Sequence, residues 1–597
     1  MGTFYPHHTF HIPVMGIGYT IDSPIKVAPY GIASVVSLVD DILMEKMREF
    51  YCKMFNRPFE PISALEKDYR ARRITEYLNL LDSAVKEKFE GMKNSFQEKK
   101  SEISRYIDML PDMSSIKKDF TALIQNNTRI QDIKSWIQNN LSVGAIDVNI
   151  MTKLDKENYS KGEKLGDEYN DAHAAIRGFA NSSLNSSVVL SAGMNPKLYG
   201  YIENFEDFYP DENFSLKKSI ILKVSDYRSA LIQGKFLAKK GLWVSEYRVE
   251  SGLNCGGHAF ASDGMLMGPI LEEFSTSREE LINSTHELYI QALKMKNRIA
   301  PTSPLHVKIT AQGGVGTAEE HRFLINHYKL DSVGWGSPFL LVKEATSMDS
   351  HTRDSLANAK ESDLYLSNIS PLGVPFNSLR NNTKDNEKIK RIEQGKPGSN
   401  CPKHYSSLNT EFTERPICTA SRQYQQAKIN ELKSKNLPQE EYLLDYSKIV
   451  EKSCICVGLG TGVLIDNKLD FRVEGPGVSV CPGPNMAYFS RQVSLSSMVD
   501  HIYGRANLMD RTDRPNMFIK EISLYIDYLK TRFLEMPKPL SIKDNKYIQT
   551  FKSNIEEGIE YYKALFSSLS GDSMGNKETL QEELLGLRQK LGAALEP

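Results

Sequence analysis

The run Gly252-Leu253-Asn254-Cys255-Gly256-Gly257-His258 is followed by Ile309-Thr310-Ala311-Gln312-Gly313-Gly314-Val315-Gly316 and then by Val333-Gly334-Trp335-Gly336-Ser337-Pro338-Phe339. In each of the first two segments paired glycines come directly after a β-prone run, so backbone can approach a ligand with no Cβ in the way. Gly-rich strand ends separated by a helix fit the phosphate-binding corner of a (β/α)₈ barrel. There the loops after the last two strands offer backbone amides to an anion. Gly313 and Gly314 would supply one set of amides beside a helix capped by Thr317, and Gly336 and Ser337 a second set with a hydroxyl. His258 would face the same mouth, placed to bind an anion or exchange a proton. The plainer reading of these glycines is tight strand–helix turns, and of His258 a satisfied structural histidine.

Outward from this core the chain reads as alternating strands and helices. His11-Ile12-Pro13-Val14-Met15-Gly16 is a short strand, Asp22-Ser23-Pro24 a helix start, and Ala33 to Leu38 a buried parallel strand. Further strands are expected at Ser187 to Gly193, Ser219 to Val224, Leu242 to Tyr247, Val307 to Thr310 and Asp331 to Leu341. Helices are expected at Tyr227 to Lys239 and Thr317 to Tyr328, with a long one opened by a Thr276/Glu279 capping box. This alternation predicts an α/β fold, a (β/α)₈ TIM barrel built from residues 1–40 and 171–345. Residues 41–170 turn charged and helical, with Leu78, Leu81, Val85, Phe89 and Met92 at helical spacing, and read as an insertion after the second strand. Residues 346–490 form a cysteine-containing extension. Residues 491–597 form a helical tail, most strongly amphipathic from Lys552 to Leu569.

At 597 residues the chain exceeds one barrel of roughly 250. Lys+Arg of 74 against Asp+Glu of 75 gives a net charge of −1, so no global basic field favours nucleic acid. No apolar run reaches the roughly 18 residues of a membrane span, and Met1 to His8 lacks a signal-peptide pattern, while Pro6 breaks a myristoylation motif. A soluble, cytoplasmic protein is expected. Seven cysteines in such a chain are not a disulfide framework. Cys401, Cys418, Cys456 and Cys481 could instead supply four thiolates to an iron–sulfur cluster or zinc, with Cys454 a weaker choice, and the alternative is free thiols in a small β-rich module. Cys255 reads as a small wall residue beside Ser251 and Asn254.

The three glycine segments together resemble the nitronate monooxygenase (2-nitropropane dioxygenase-like) family of FMN-dependent TIM barrels. That family carries a Gly-x-x-x-Gly-Gly-His run, matched by Gly252, Gly256, Gly257 and His258. Its Ala-Gly-Gly-Ile strand end corresponds to Ala311 to Val315, one residue longer here, and its Gly-Thr-x-Phe-Leu to Gly336 to Leu340. Pro13-Val14-Met15-Gly16 matches the family's opening. Glu344-Ala345-Thr346, Ala357-Asn358-Ala359, Asp363 to Leu366, Gly373-Val374 and Leu379-Arg380-Asn381 look like the enoyl reductase component of bacterial polyunsaturated fatty acid and polyketide synthases. Ser251 and Trp335 depart from the usual pattern. The resemblance implies an FMN phosphate held by Gly313, Gly314, Gly336 and Ser337. It also implies Met15 and Gly16 along the isoalloxazine, with Gly256 and Gly257 beside it, and His258 as the catalytic residue facing substrate. The activity implied is an oxidoreductase working through flavin N5 on an activated C=C bond or a carbon acid, with NAD(P)H as electron donor and a small-molecule or acyl-thioester substrate. Nitronate oxidation is the alternative, as is a non-redox barrel binding a phosphate ligand. The resemblance does not reach the insertion or the residues after 384: the insertion reads as a solvated cover for the barrel or a dimer surface, the alternative being that insertion and tail are partner-binding modules of a multienzyme or RNA-modifying assembly.

Overall fold

The computed structural model describes residues 7–96, 101–126, 128–191, 193–537, 539–569 and 574–595. The amino-terminal residues read for a targeting signal, up to Pro6, and Ala192 of the expected Ser187–Gly193 strand lie outside these. Eight strands close into a parallel barrel: β1 Phe10–Ile12, β2 Ala33–Ser37, β3 Ile146–Met151, β4 Ser186–Ser191, β5 Lys218–Val224, β6 Val244–Glu250, β7 Lys308–Gln312 and β8 Ser332–Gly334. Each strand pairs with its sequence neighbour, and β1 pairs β8 through Phe10↔Val333 and His11↔Gly334 to close the ring. Their β-branched content suits strands covered on both faces. Val35, Val189 and Ile221 from three strands meet inside the barrel. Below them the interior is polar, with Arg248 paired to Glu246 at 2.7 Å and Thr310 donating to the same carboxylate at 2.6 Å.

The stretch 41–170 is not helical throughout, a correction to the sequence reading. Five helices do follow β2, from Asp41–Met54 to Ile130–Asn140, but β3 lies inside the stretch and pairs β2 and β4. Its Ile146-Asp-Val-Asn-Ile-Met151 alternates polar and apolar residues, with Asp147 and Asn149 buried in the barrel and Asp147 accepting the Ser187 amide. Hydrophobicity therefore did not mark it as a core strand. The Thr276/Glu279 capping box is also absent. One helix ends at Thr276, whose hydroxyl donates back to Glu272 and Glu273 carbonyls, and another starts at Arg278. Thr317 does cap Ala318–His327, accepting from the Glu320 amide at 3.1 Å.

The extension is mainly helical, not a β-rich module. It has one hairpin, β9 Leu364–Ser367 with β10 Phe376–Leu379, and a helix, α1 Ile455–Asp466, that is buried over most of its circumference. Such all-round burial is usual only for a helix enclosed by the protein. Gly458, Gly460 and Gly462 let neighbouring chain come close: a Cβ on Gly18 would sit 3.1 Å from the Gly460 Cα, and Gly18 donates its amide to Leu459. The tail packs Met517–Glu535 and Ile542–Ser568 back onto the barrel. Among the described residues no helix is long and apolar enough to cross a membrane.

A buried charge cluster joins these parts. Asp40 caps Asp41–Met54 through the Leu43 amide at 2.8 Å, and takes Lys403 Nζ at 2.5 Å and the Tyr405 hydroxyl at 2.8 Å from the extension. Asp41 binds Arg70 and Arg73 of the insertion. Lys403 and Asp40 are 1% and 0% exposed, so removing one partner strands a charge away from water. Lys403→Met is expected to destabilise the protein by about 3–5 kcal/mol, read as a lower denaturation midpoint; a neutral outcome would show that Tyr405 and Leu43 suffice for Asp40.

Candidate active site

At the carboxyl ends of the strands, where barrel enzymes place their chemistry, two connected cavities open. The first, about 100 Å³, is lined by Met15, Gly16, Gly313, Gly314, Gly336 and Ser337 among others. The second, about 130 Å³, is lined by His258, Lys223, Asn149, Ser370 and Phe376 among others. Val14, Gly16, Glu250, Gly256, Gly257, Gln312 and Cys481 border both. The sequence-predicted cofactor and catalytic residues of the barrel mouth thus fall on one continuous cavity, whereas Ser251 does not border it.

The glycines have a local reason. Gly313 and Gly314 take φ of +117° and +82°, a region L side chains avoid, and a Cβ on Gly314 would lie 2.1 Å from Asn254 Nδ2. Gly257 has φ +78° with nothing within 4 Å of its would-be Cβ, so it leaves open space in the mouth. Ser337 Oγ accepts the Gly483 amide at 2.8 Å, which leaves its proton to donate to an anion. The helix after β7 is different from the sequence expectation. Its amino end is occupied by Glu320, which accepts the Gly316 amide at 2.8 Å and pairs with Arg514 at 2.8 Å. An anion in the first cavity would meet the strand-tip amides and Ser337, with Arg514 donating to the Gly314 carbonyl at 2.7 Å behind them.

His258 Nε2 lies 2.7 Å from Ser370 Oγ, and its ring meets Phe376 edge-on at 4.9 Å. Burial, and secondarily the charge of Lys223, lower its pKa to about 4. The imidazole is therefore neutral at ordinary pH, fitted to orient a ligand or accept a proton rather than to deliver one as a resident cation. Across the floor, Lys223 pairs with Glu250 at 2.8 Å, and Gln312 Nε2 donates to the same carboxylate at 2.5 Å. Asn149 Oδ1 is buried with no hydrogen-bond partner among the described residues, an acceptor unused by the protein. Sequence reading passed over these four. Lys223, Glu250 and Gln312 do stand at the carboxyl ends of β5, β6 and β7, a position that itself signals function in barrels.

The other missed contribution comes from the extension. The strap Cys481-Pro-Gly-Pro-Asn485 lies across the mouth: Gly257 donates to the Cys481 carbonyl at 3.2 Å, and Asn485 Nδ2 to the Val315 carbonyl at 2.7 Å. The Cys481 thiol rests on the Gly16 and Gly257 amides, and burial pushes its pKa up to about 12. Cys481 is thus a wall of the mouth, whereas Cys401 Sγ accepts the His404 amide at 3.3 Å and Cys456 lies 3.0 Å from Ser406 Oγ. Among the described residues no group of three or more His, Cys, Asp or Glu is gathered to hold a metal, so the expected cluster of Cys401, Cys418, Cys456 and Cys481 is not assembled. Burial raises Cys418 to about 12 and Cys456 to about 11, while the Cys454 contact and backbone amides lower Cys401 to about 6. Cys255 is buried with a strongly raised pKa, as a wall residue should be.

No family model and no curated protein matches this sequence. Among solved structures, FabK from Thermotoga maritima aligns over 68% of this chain and 83% of its own at 12% identity, with a TM-score of 0.29. The enoyl reductase domain of MlnA from the macrolactin biosynthesis cluster of Bacillus amyloliquefaciens aligns over 70% and 89% at 14% identity and 0.33. Nitroalkane oxidase from Streptomyces ansochromogenes aligns over 65% and 85% at 10% identity and 0.29. TM-scores this low carry no argument about activity.

Ser251, just before the first glycine run, donates to Glu521 of the tail, which also accepts the Met267 amide at 3.0 Å. Burial raises the Glu521 pKa to about 7 from an ordinary 4.5. The folded chain then keeps a proton that the unfolded chain gives up, so stability is full below about pH 4.5 and falls as pH rises to about 7. The loss is on the order of 3 kcal/mol. Glu521→Gln is expected to flatten this part of a stability-versus-pH curve; an unchanged slope would remove Glu521 as its source.

Proposed function

We propose that the mouth binds FMN and that the chain is a flavin-dependent oxidoreductase acting on an activated C=C bond or a carbon acid, in the manner of an enoyl reductase, with NAD(P)H as electron donor. The observation that carries the reading is the convergence of Gly313, Gly314, Gly336 and Ser337 on a corner continuous with the His258 chamber. FMN fits this donor set on three counts. Strand-tip amides and a hydroxyl suit a phosphate dianion without a dedicated cation. The open space at Gly257 and the approach of Met15 and Gly16 suit a flat ring. The unpaired Asn149 oxygen suits a ring N–H. Bound there, FMN would supply the two-electron redox chemistry.

The chain's own residues do the rest. Gly313, Gly314, Gly336 and Ser337 would hold the phosphate, and the strap from Cys481 to Asn485 excludes water from one side of the mouth. Lys223, tied to Glu250, places a positive charge in the chamber, where it favours a substrate that carries or develops negative charge. Neutral His258, steadied by Ser370, orients that group or takes up its proton.

The purified protein should be yellow, with FMN near one equivalent released on denaturation; a colourless protein that gains no flavin spectrum on mixing with FMN overturns the reading. His258→Ala should keep its flavin yet lose on the order of 10²–10⁴ in rate with enoyl thioesters or nitroalkanes. The wild-type pH–rate profile should lack an imidazole limb between pH 5 and 8, since His258 titrates at about 4.

A further inference from the structure

Three side chains from beyond the barrel take three successive carbonyls of the loop after β7. Arg514 Nη2 donates to the Gly314 carbonyl at 2.7 Å, Asn485 Nδ2 to the Val315 carbonyl at 2.7 Å, and His501 Nε2 lies 2.9 Å from the Gly316 carbonyl. Each of the three is itself tied down. Arg514 Nε donates to Asn485 Oδ1 at 2.8 Å, which fixes that amide with its Nδ2 toward Val315. The two terminal nitrogens of Arg514 also hold both oxygens of Glu320, at 2.8 and 2.9 Å. The Leu508 amide donates to His501 Nδ1 at 3.2 Å, so the ring carries its proton on Nε2 and donates to Gly316. Gly316 leaves room for the arrangement: a Cβ there would lie 2.7 Å from Arg514 Nε and Nη2.

A trans peptide unit points its carbonyl oxygen and its amide hydrogen to opposite sides. With the Gly314 carbonyl drawn to Arg514, the Val315 N–H is turned away from the guanidinium, and Val315 borders the first cavity whereas Arg514 does not. The Val315 carbonyl, drawn to Asn485, likewise sends the Gly316 N–H to Glu320, which accepts it at 2.8 Å. Glu320 matches the charge of Arg514, so the hold on the loop is one of direction rather than of net field. We infer that Arg514, Asn485 and His501 are positioning residues that keep the strand-tip amides, that of Val315 above all, turned into the corner. Selectivity for a phosphorylated flavin over its dephosphorylated form is then set by the post-barrel segment. The inference rests on the FMN reading of the mouth and adds what holds the phosphate corner in shape. Amides fixed in advance need no reorganisation when a dianion enters, whereas a loop freed of its clamp must be reordered on binding.

The full-length protein, freed of flavin, is titrated with FMN and with riboflavin, and binding is read from the flavin fluorescence. Riboflavin has the same ring and no phosphate, so the ratio of the two dissociation constants isolates the corner. The wild-type chain should prefer FMN by at least about tenfold. Arg514→Lys keeps a positive charge beside Glu320 but lacks the fork that reaches Asn485 and Gly314 at once. Gly316→Ala keeps Arg514 and pushes its guanidinium off the loop. Each variant should weaken FMN by about tenfold and riboflavin by less than about twofold, shrinking the ratio. A wild-type chain that binds both flavins equally, an equal loss for both in the variants, or an FMN constant that neither variant moves overturns the clamp while the flavin reading stands. A wild-type chain that binds neither flavin overturns both. The wild-type preference needs no variant, and the two substitutions fall on different elements, so misfolding of one leaves the other to decide.

Discussion

The acidic pair at the end of β2 holds the molecule together. Asp40 and Asp41 are buried side by side, which is tolerable only because three cations and a phenol reach them from separate parts of the chain. Arg70 and Arg73 come from the insertion, and Lys403 and Tyr405 from the extension. Arg70 also reaches the Asp171 carbonyl at 3.2 Å and the Val39 carbonyl at 2.9 Å, linking the insertion to the chain on either side of it. Glu474 completes the set, shared between Lys46 at 2.7 Å and Lys403 at 3.5 Å. With the charges matched inside the protein, the extension cannot leave the barrel without exposing Asp40 unpaired.

That attachment decides what the barrel mouth is made of. Because Lys403 and Tyr405 are fixed at β2, the Ser406–Cys456 contact and α1 come to lie over the first strand's loop. The glycines of α1 bring its backbone against Gly18, and Tyr19 closes the other side by donating to the Ser479 carbonyl. Only two residues further on, the strap begins. One barrel alone would leave its strand tips open to water. Here a segment distant in sequence covers one side of the mouth, and the partial burial strengthens polar interactions there.

Inside the chamber the charges are paired and the histidine is neutral. Lys223, Glu250 and Gln312 restrain one another, so their positions are set before any ligand arrives. His258 is kept uncharged by the same burial and by Lys223. The candidate anion corner relies on amides, whose geometry is part of the backbone, while the neighbouring cation Arg514 is already committed to Glu320. The helix amino terminus that looked available from sequence is filled by that carboxylate.

Glycine placement and β-branched runs were enough to read seven of the eight strands and the converging tips, since φ beyond +80° at Gly313 and Gly314 and buried parallel strands leave a local mark. They also named residues that line the cavity at the barrel mouth, His258 among them. β3 escaped because its Asp147 and Asn149 are polar yet buried in the closed barrel, where Asp147 accepts the Ser187 amide at 3.0 Å and Asn149 faces the cavity. The cysteines misled for a related reason: spacing along the chain says nothing about which thiols meet, and folding carried Cys481 to the wall of the mouth. What the chain determined by itself is whatever depends on neighbours in sequence, namely strand, helix, turn and the glycine tips. The roof, the floor relay and the neutral state of His258 arise from contacts between segments up to hundreds of residues apart, and only the assembled tertiary structure brings those charges and amides within reach of one another.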